Sequence, residues 1–233
     1  MCGRYTLRRL DLVRAAFDAL ILPGFEEFTD RPRFNIAPSQ PAPIVRINSQ
    51  GKRVMNLAQW GLIPSWVTGK PKLRPCNARA DKLSSSGMYR QAFARRRCLI
   101  PADGFYEPRG PKSAKNRPWY YFQMRDGLPF AIGGLWERWK PDPDSQPLDT
   151  FTIITTEPSA VMRPIHDRQP LVIAPKDYSR WLDPQTPAAD VKDLLAPHLP
   201  QPIEFWPVSD AAKSPVNKDH SLNDDPSMIK PLG

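Results

Sequence analysis

The stretch that best indicates the fold is Leu99-Ile100-Pro101-Ala102-Asp103-Gly104-Phe105-Tyr106-Glu107, near the middle of the chain. In it a hydrophobic strand is followed directly by aromatic residues around an acidic side chain, a pattern typical of short buried strands. Asn48-Ser49-Gln50-Gly51 is a hairpin signal between two further strand candidates. The strands predicted on both sides of the central stretch span residues 43–47, 53–60, 98–100, 119–124, 130–135, 151–155, 171–173 and 203–205.

Helices are expected to be few and short, because 29 prolines interrupt the chain. The apolar residues near the start recur at helical spacing and predict an amphipathic helix over 10–22, ended by Pro23-Gly24. Other short helices are predicted at 86–94, 159–163, 176–182 and 188–195. We therefore predict one α+β domain over 1–208, with an antiparallel barrel-like β core, short peripheral helices and a polar, loosely packed tail at 209–233.

The charge balance favours a polyanionic partner. Thirty-three Lys and Arg against 24 Asp and Glu leave a net charge of +9, and nucleic acid is the obvious polyanion. Cys2, Cys76 and Cys98 are odd in number and widely spaced, which argues against a secreted disulfide framework. Neither a signal-peptide core nor a membrane span is present, so we expect a cytoplasmic monomer, nucleoid-associated if the source is bacterial. No CxxC or HxxxH pair occurs, so no metal and no cofactor is expected.

Cys2 stands directly behind Met1 and can acquire chemistry that no internal cysteine has. If Met1 is removed, the chain begins with an α-amine, whose pKa is ordinarily about 7.7–8.0, and a thiol, whose pKa is about 8.5. Both groups would be reactive near neutral pH, and together they could capture an aldehyde twice and close a thiazolidine ring. The alternative is that residue 2 belongs to a frayed terminus.

Two segments hold residue types suited to nucleic acid. In Trp60-Gly61-Leu62-Ile63-Pro64-Ser65-Trp66, a strand end runs into a turn that can expose Trp66. A Trp face can stack an unpaired base for roughly 1–3 kcal/mol, although a core Trp beside a turn fits the same pattern. In Cys76-Asn77-Ala78-Arg79-Ala80-Asp81, alternate side chains face the same way if the segment is extended, so Asn77 and Arg79 would share one surface. Arg fits phosphate as a rigid fork, and a solvated loop Arg is the alternative.

Two titratable residues are candidates for proton transfer. Glu107 follows Phe105 and Tyr106, and burial among aromatic rings would raise its pKa toward the range useful for acid–base catalysis. His166, in Ile165-His166-Asp167-Arg168-Gln169-Pro170, could carry a proton near pH 7. Exposed glutamates and structural histidines are the alternatives. His198 and His220 lie in Pro-rich or polar sequence and are expected at the surface.

Six motifs occur in a fixed order along residues 2 to about 173, with a weaker continuation to about 208. This series closely resembles the SRAP family, the SOS response-associated peptidases understood as abasic-site processing proteins. The motifs are Cys2-Gly3-Arg4, Asn35-Ile36-Ala37-Pro38, Trp60 to Trp66 as quoted above, Asn77-Ala78-Arg79-Ala80, Arg97-Cys98 running into the central stretch to Glu107, and His166-Asp167-Arg168.

The resemblance implies a DNA damage response protein that binds single-stranded DNA and crosslinks to the aldehyde of an abasic site, which shields the strand. It implies Cys2 as nucleophile, and it places Asn77, Glu107 and His166 in the active site. It implies that the DNA groove is lined by Arg4, Pro38, Trp66, Arg79 and Arg168. The family name also implies peptidase action, which could be limited to maturation of the N-terminus. The family pattern commonly has Trp after Glu107 and Met-Pro after Arg168, where this chain has Pro108 and Gln169.

Two other functions remain open from the sequence. An N-terminal-nucleophile amidotransferase also begins Met-Cys-Gly and uses its terminal amine as a base for the thiol. A non-catalytic basic module would use Trp66 and the arginines to bind single strands reversibly, and salt would weaken that binding. Glutamine hydrolysis would favour the first, and fully reversible DNA binding would favour the second.

Overall fold

The structure is a computed structural model that describes residues 2–25, 28, 31–111, 113–114, 116–199, 202–216 and 221–232. The helices are α1 (Leu10–Phe17), α2 (Arg90–Arg95) and α3 (Tyr178–Leu182), with short 3-10 turns between strands. The strands are β1 (Arg4–Leu7), β2 (Leu20–Ile21), β3 (Arg33–Ile36), β4 (Pro41–Ile47), β5 (Arg53–Trp60), β6 (Asn77–Arg79), β7 (Arg97–Ala102), β8 (Gly104–Pro108), β9 (Trp119–Met124), β10 (Phe130–Trp139), β11 (Leu148–Thr156), β12 (Gln169–Pro170), β13 (Val172–Ile173) and β14 (Ile203–Val208).

Five strands close into a barrel. β11, β10, β7, β4 and β5 follow one another as antiparallel neighbours. The barrel closes where β5 pairs with β11 in parallel, with Trp60 opposite Phe151. Their rings stack with centroids 6.1 Å apart in the core. The predicted α+β class with an antiparallel barrel-like core is confirmed, and the closing pair is a parallel exception within it.

The central stretch 99–107 connects this barrel to a second sheet, ordered β14-β9-β8-β1-β3. β7 ends at Ala102 and β8 begins at Gly104, so Asp103 is the only residue between them. Asp103 is fully buried and accepts hydrogen bonds from the Thr6 hydroxyl at 2.6 Å and the Arg9 backbone N–H at 2.9 Å. A Cβ on Gly104 would lie 2.0 Å from the Tyr121 hydroxyl oxygen, so only glycine fits this crossing. One buried carboxylate thus holds β1 beside β8.

Several predicted helices were wrong in extent or kind. The helix predicted over 10–22 ends at Phe17, because Asp18 adopts the left-handed conformation with φ 45°. Leu20–Ile21 then pairs with β5 in parallel instead of continuing the helix. The segment 159–163 is a turn, and 188–195 consists of two 3-10 turns. The helix predicted over 86–94 begins only at Arg90.

The C-terminal tail packs more firmly than its polar sequence suggests. Ala212 and Met228 are buried against the second sheet, and Trp206 Nε1 donates to the Ile229 carbonyl at 2.7 Å. Asp224 pairs with Arg33 and accepts from the Asn35 backbone N–H at 2.9 Å, which ties the tail to β3. The expectation of loose packing was therefore wrong for these residues, while the domain boundary at 208 stays a prediction. No helix among the described residues is long and apolar enough to cross a membrane.

Candidate active site

Cys2 lies directly before β1 and is fully buried. The register of β1 against β8 places Arg4 opposite Tyr106, so the residues before Arg4 approach the Glu107 end of β8. The Cys2 thiol lies 3.7 Å from the Arg4 carbonyl oxygen, to which it is directed as a weak donor. A frayed position for residue 2 is therefore excluded in this fold.

Asn77 holds the backbone at Cys2. It begins β6, which pairs with β11 in parallel, and its Nδ2 donates to the Cys2 carbonyl at 3.0 Å. The same Nδ2 lies 3.3 Å from the Cys76 sulfur. Asn77 Oδ1 is buried and has no hydrogen-bond partner within the described part of the chain. An unused acceptor beside Cys2 is suited to an incoming amine or hydroxyl.

Glu107 is fully buried on β8, a point that the sequence left open. Burial raises the pKa of its carboxyl group to about 7. Near neutral pH the group is therefore divided between its acid and its carboxylate forms. A carboxyl group in this state can donate or accept a proton at little cost, which acid–base catalysis requires.

His166 completes the group from the turn after residue 158. Its Nε2 lies 3.7 Å from Glu107 Oε2, while its Nδ1 lies 3.1 Å from the Arg168 backbone nitrogen and 3.0 Å from Asp167 Oδ1. Burial lowers the pKa of the imidazole to about 4, so the ring is neutral at pH 7. The sequence offered His166 as a proton carrier near pH 7 or as a structural histidine, and a neutral resting ring favours donation from the imidazole over a resting positive charge. When Nδ1 accepts from the Arg168 N–H, Nε2 carries the proton and faces Glu107.

The thiol also differs from the expectation. Burial raises the pKa of the Cys2 thiol well above its usual range, and the neighbouring Glu107 charge acts in the same direction. The resting thiol is therefore protonated near neutral pH, and the sequence overestimated its reactive fraction. Any attack by Cys2 must transfer the thiol proton during the reaction, and Glu107 lies close enough to influence that step.

The predicted groove arginines lie in different settings. Arg4 is half-buried, with Nη1 donating to the Gly3 carbonyl at 2.6 Å and Nη2 to the Lys213 carbonyl at 3.3 Å. Arg79 is exposed, but its fork is paired with Asp81 at 2.9 and 3.0 Å. Arg168 donates to the Thr155 carbonyl; burial lowers its pKa and the charge of Arg79 adds to this effect. Arg79 and Arg168 are thus neighbouring cations. A phosphate that bound the Arg79 fork would have to displace Asp81.

Pro38 and Trp66 stand between Arg4 and Asn77 in the sequence. Within the described residues, neither of them forms a hydrogen bond to Cys2 or Asn77. Trp66 is 59% exposed, whereas Trp60 is buried and donates to the Cys76 carbonyl at 2.7 Å. Pro38 is half-buried in the turn after β3. The exposed indole agrees with the expected stacking surface, and the DNA-binding roles of both residues stay predictions.

Sequence reasoning missed three residues near this group. Arg117 is close enough to Glu107 and His166 to influence the pKa of each, although burial is the main cause of both shifts. The Cys76 sulfur contacts Asn77, and Thr155 is fully buried with a hydroxyl that has no partner in the described structure. The basic loop 109–117 was a signal for Arg117. Thr155 begins a polar stretch that leads to His166 in the sequence, but its burial beside the site depends on the pairing of β11 with β6 and β12.

No group of three or more His, Cys, Asp or Glu side chains in the described ranges is arranged to hold a metal ion. His198 is exposed, as expected. His220 and Met1 lie outside the described residues, so the surface position of the first and the removal of the second stay predictions.

Comparison with known proteins identifies relatives over nearly the whole chain. The family model for SOS response associated peptidase (SRAP) matches residues 1–215. The abasic site processing protein YoaM of Bacillus subtilis is 35% identical over 227 residues, which cover 96% of this chain and 98% of YoaM. The abasic site processing protein HMCES of Xenopus tropicalis is 28% identical over 216 residues, which cover 80% of this chain and 64% of HMCES.

A solved structure shares the fold. The crystal structure of a protein from Bacteroides thetaiotaomicron superposes with a TM-score of 0.85 at 22% identity, and the match covers 99% of this chain and 100% of that one. The architecture of barrel and second sheet is therefore that of an experimentally determined protein.

Proposed function

The chain belongs to the SOS response associated peptidase (SRAP) family, and on that premise we propose that it processes abasic sites in single-stranded DNA. In this proposal Cys2, once Met1 has been removed, forms a covalent thiazolidine crosslink with the abasic aldehyde and so shields the strand. The curated relatives YoaM and HMCES are named abasic site processing proteins, which supports the proposal.

The observation that carries the proposal is the buried group formed by Cys2, Asn77, Glu107 and His166. Asn77 fixes the Cys2 backbone at 3.0 Å, and Glu107 and His166 face each other at 3.7 Å. Three residues from distant parts of the chain thus lie around Cys2, the residue that can carry both an amine and a thiol. A structural site would not need an ionisable carboxyl group in full burial, because such burial costs stability.

The proposed reaction releases one water and otherwise conserves all atoms. The α-amine of Cys2 adds to C1′ of the aldehyde, and loss of water gives an imine. The thiol then adds across the C=N bond, so that Sγ bonds to C1′, the thiol proton moves to nitrogen and the five-membered ring closes. The product has no free imine, and it therefore resists hydrolysis better than a Schiff base does.

Glu107 and His166 have distinct proposed roles. An abasic sugar is mostly a closed hemiacetal, and the Glu107 carboxylate accepts the proton of the C1′ hydroxyl so that the ring opens to the aldehyde. Neutral His166 donates from Nε2 to the sugar oxygen as negative charge develops there. The same groups would serve the reverse reaction, and crosslink release is expected to depend on them.

Single-stranded DNA is the proposed substrate form because a base must be unstacked to lie on Trp66, which is 59% exposed. Arg4, Arg79 and Arg168 would contact the backbone, and Pro38 would contact the strand near them. A fully paired duplex carrying the same abasic site is expected to crosslink more slowly. We expect a monomer, which light scattering can test.

The deciding experiment measures the intact mass of the protein before and after incubation with an abasic single-stranded oligonucleotide, under denaturing conditions. We expect one adduct in the native protein and none in Cys2→Ala. Cys2→Ser is the matched control. Like Cys2→Ala it keeps the α-amine and lacks the thiol, so both variants should give only an imine that is lost on denaturation unless borohydride traps it. An adduct of unchanged yield in Cys2→Ala would sink the proposal. Salt-sensitive binding without any adduct would favour the reversible module, and glutamine hydrolysis would favour the amidotransferase.

A further inference from the structure

A cavity of about 870 Å³ opens beside His166, and neither Cys2 nor Asn77 is among its described lining. Its walls come from the loop between β8 and β9 and from the turn that precedes His166. The Gly110 N–H donates to the Ile165 carbonyl at 3.4 Å and joins these two segments. The volume falls within the usual range of small-molecule sites, so the cavity has room for a nucleotide unit.

The cavity is strongly cationic. Arg109, Arg117 and Arg163 line it, and Asp167 is the one acidic residue among its described lining. Arg109 and Arg163 are exposed, and the structure gives neither of them an ion pair within the described residues. This contrasts with Arg79, whose fork is already paired with Asp81. Free guanidinium groups around a concave surface are the usual recognition elements for phosphate.

Arg117 connects this cavity to the reacting groups. Its Nη2 donates to the Pro108 carbonyl at 2.8 Å, and its buried Nε has no partner in the described structure. The same side chain lines a second concavity of about 510 Å³ that also holds Lys213. Asp210 lines this concavity as well. The Lys213 carbonyl accepts from Arg4, so this concavity lies between the Cys2 side of the site and the cavity beside His166.

We propose that the cavity lined by Arg109, Arg117 and Arg163 binds one of the two phosphates that flank the abasic nucleotide. The inference rests on the proposed function and adds a second anchor, separate from the Arg79 and Arg168 pair. Because the cavity adjoins His166, a phosphate held there fixes the abasic sugar on one side while the remaining groove holds the strand on the other. Two anchors around a flexible, baseless sugar would reduce the orientations it can adopt at Cys2.

The test asks whether the effect of removing one phosphate charge depends on the arginines of the cavity. Two abasic oligonucleotides each carry a neutral methylphosphonate, one on the 5′ side and one on the 3′ side of the abasic site. In the native protein, one of the two is expected to lower the crosslinking rate roughly tenfold, since a charge-assisted contact is lost. In the variant Arg109→Ala/Arg163→Ala the unmodified strand should react about tenfold more slowly, and the same methylphosphonate should cause little further loss. Arg117 is left intact because it also holds the Pro108 carbonyl.

The control is Arg95→Ala/Arg125→Ala, which removes the same charge from exposed positions on α2 and on the β9–β10 turn. In this control variant, the methylphosphonate should lower the crosslinking rate by the same factor as in the native protein. A cavity variant that keeps the native protein's full sensitivity to both methylphosphonates would overturn the inference and leave the proposed function standing. A native protein that neither methylphosphonate slows would overturn it as well. If the native protein forms no adduct with the unmodified strand, the proposed function fails, and the same comparison by fluorescence anisotropy of strand binding still decides whether the cavity recognises a phosphate.

Discussion

At the scale of single residues, the site combines a protonated thiol with a carboxyl group that is ready to exchange its proton. Burial causes both conditions, since it raises the pKa of Cys2 and the pKa of Glu107 in the same apolar surroundings. The thiol alone is thus a poor nucleophile, and the carboxyl group can take up protons near pH 7. The chemistry of Cys2 therefore depends on the groups around it more than on its own acidity.

The pKa of Glu107 predicts how the rate depends on pH. Because burial raises this pKa to about 7, the carboxylate fraction grows as pH increases from 6 to 8. If the carboxylate opens the sugar, the crosslinking rate rises through the same interval. Glu107→Gln should be slower and should lose this inflexion, while a dependence on the α-amine near pH 8 remains. If the inflexion near pH 7 persists in Glu107→Gln, it belongs to another titrating group. Stopped reactions separated on denaturing gels give the crosslinking rate at each pH.

Asp81 is predicted to restrain DNA binding. It occupies both donor positions of the Arg79 fork, so Asp81→Asn should free that fork for phosphate and tighten strand binding several-fold at low salt. Asp11→Asn is the matched control, because Asp11 forms the same kind of exposed pair with Arg9 and at similar distances of 3.1 and 3.2 Å. Anisotropy titrations over a range of salt concentrations measure both. If both variants bind the strand more tightly by the same factor, the change in net charge alone explains the effect.

At the scale of helices and strands, sequence patterns located the barrel strands well. Strands β5 and β9 have the predicted bounds, and β4, β7, β10 and β11 were found but extend beyond them. The short strands β1, β3, β6 and β8 were missed, because they are held by partners distant in sequence and carry no clear alternation of their own. These are the strands that position Cys2, Asn77 and Glu107. The candidate site residues were therefore named from the motif series, and their roles stay predictions, while their convergence followed only from the fold.

The buried position of the Arg97 side chain also could not be predicted from the sequence pattern. It is 2% exposed, and its guanidinium donates to the carbonyls of Phe93 at 2.8 Å, Trp181 at 2.6 Å and Thr186 at 2.9 Å, with further bonds to Ala94 and Asp183. It thereby satisfies the carboxyl ends of α2 and α3 against β7. Arginine side chains are mostly exposed at protein surfaces, and only the tertiary packing shows that Arg97 is buried.

Arg97→Ala should destabilise the protein by about 3–5 kcal/mol, because it leaves several buried carbonyls without donors. Arg97→Lys should recover only part of the loss, since a single ammonium cannot reach both helix ends. Arg95→Ala, on the exposed face of α2, is the control and should change stability by no more than about 0.5 kcal/mol. Urea unfolding followed by tryptophan fluorescence measures all three. A loss below about 1 kcal/mol for Arg97→Ala would show that the carbonyls find other donors.

At the scale of the whole molecule, the tail and the amino terminus stabilise each other through the second sheet. Asp224 holds β3 by pairing with Arg33 and by accepting from the backbone of Asn35. β3 pairs with β1, and Cys2 directly precedes β1. A segment more than 200 residues away in sequence therefore supports the strand that positions the nucleophile.

Asp224→Ala should lower stability by about 3 kcal/mol, because it leaves Arg33 buried without its carboxylate. It should also slow crosslinking at temperatures where the protein is still folded, since β1 loses support. Asp225→Ala changes the next residue, an exposed carboxylate that caps the turn Pro226–Ile229, and should affect crosslinking far less. Thermal denaturation and crosslinking rates at 20 °C measure the two effects. If the crosslinking rate of Asp224→Ala is unchanged, the tail contributes to stability only and not to the position of Cys2.

The complete burial of Cys2 imposes an order of events on the life of the chain. An aminopeptidase needs the first residues extended in its cleft, whereas in the folded protein Cys2 is buried directly before β1. β8, against which β1 packs, is synthesised about one hundred residues after Cys2. On the proposed function, which requires that Met1 is removed, we therefore expect its removal from the nascent chain, before β8 has emerged from the ribosome. A population that escapes this early processing would fold around a blocked amine and remain inactive, and later addition of the aminopeptidase would not recover it without unfolding.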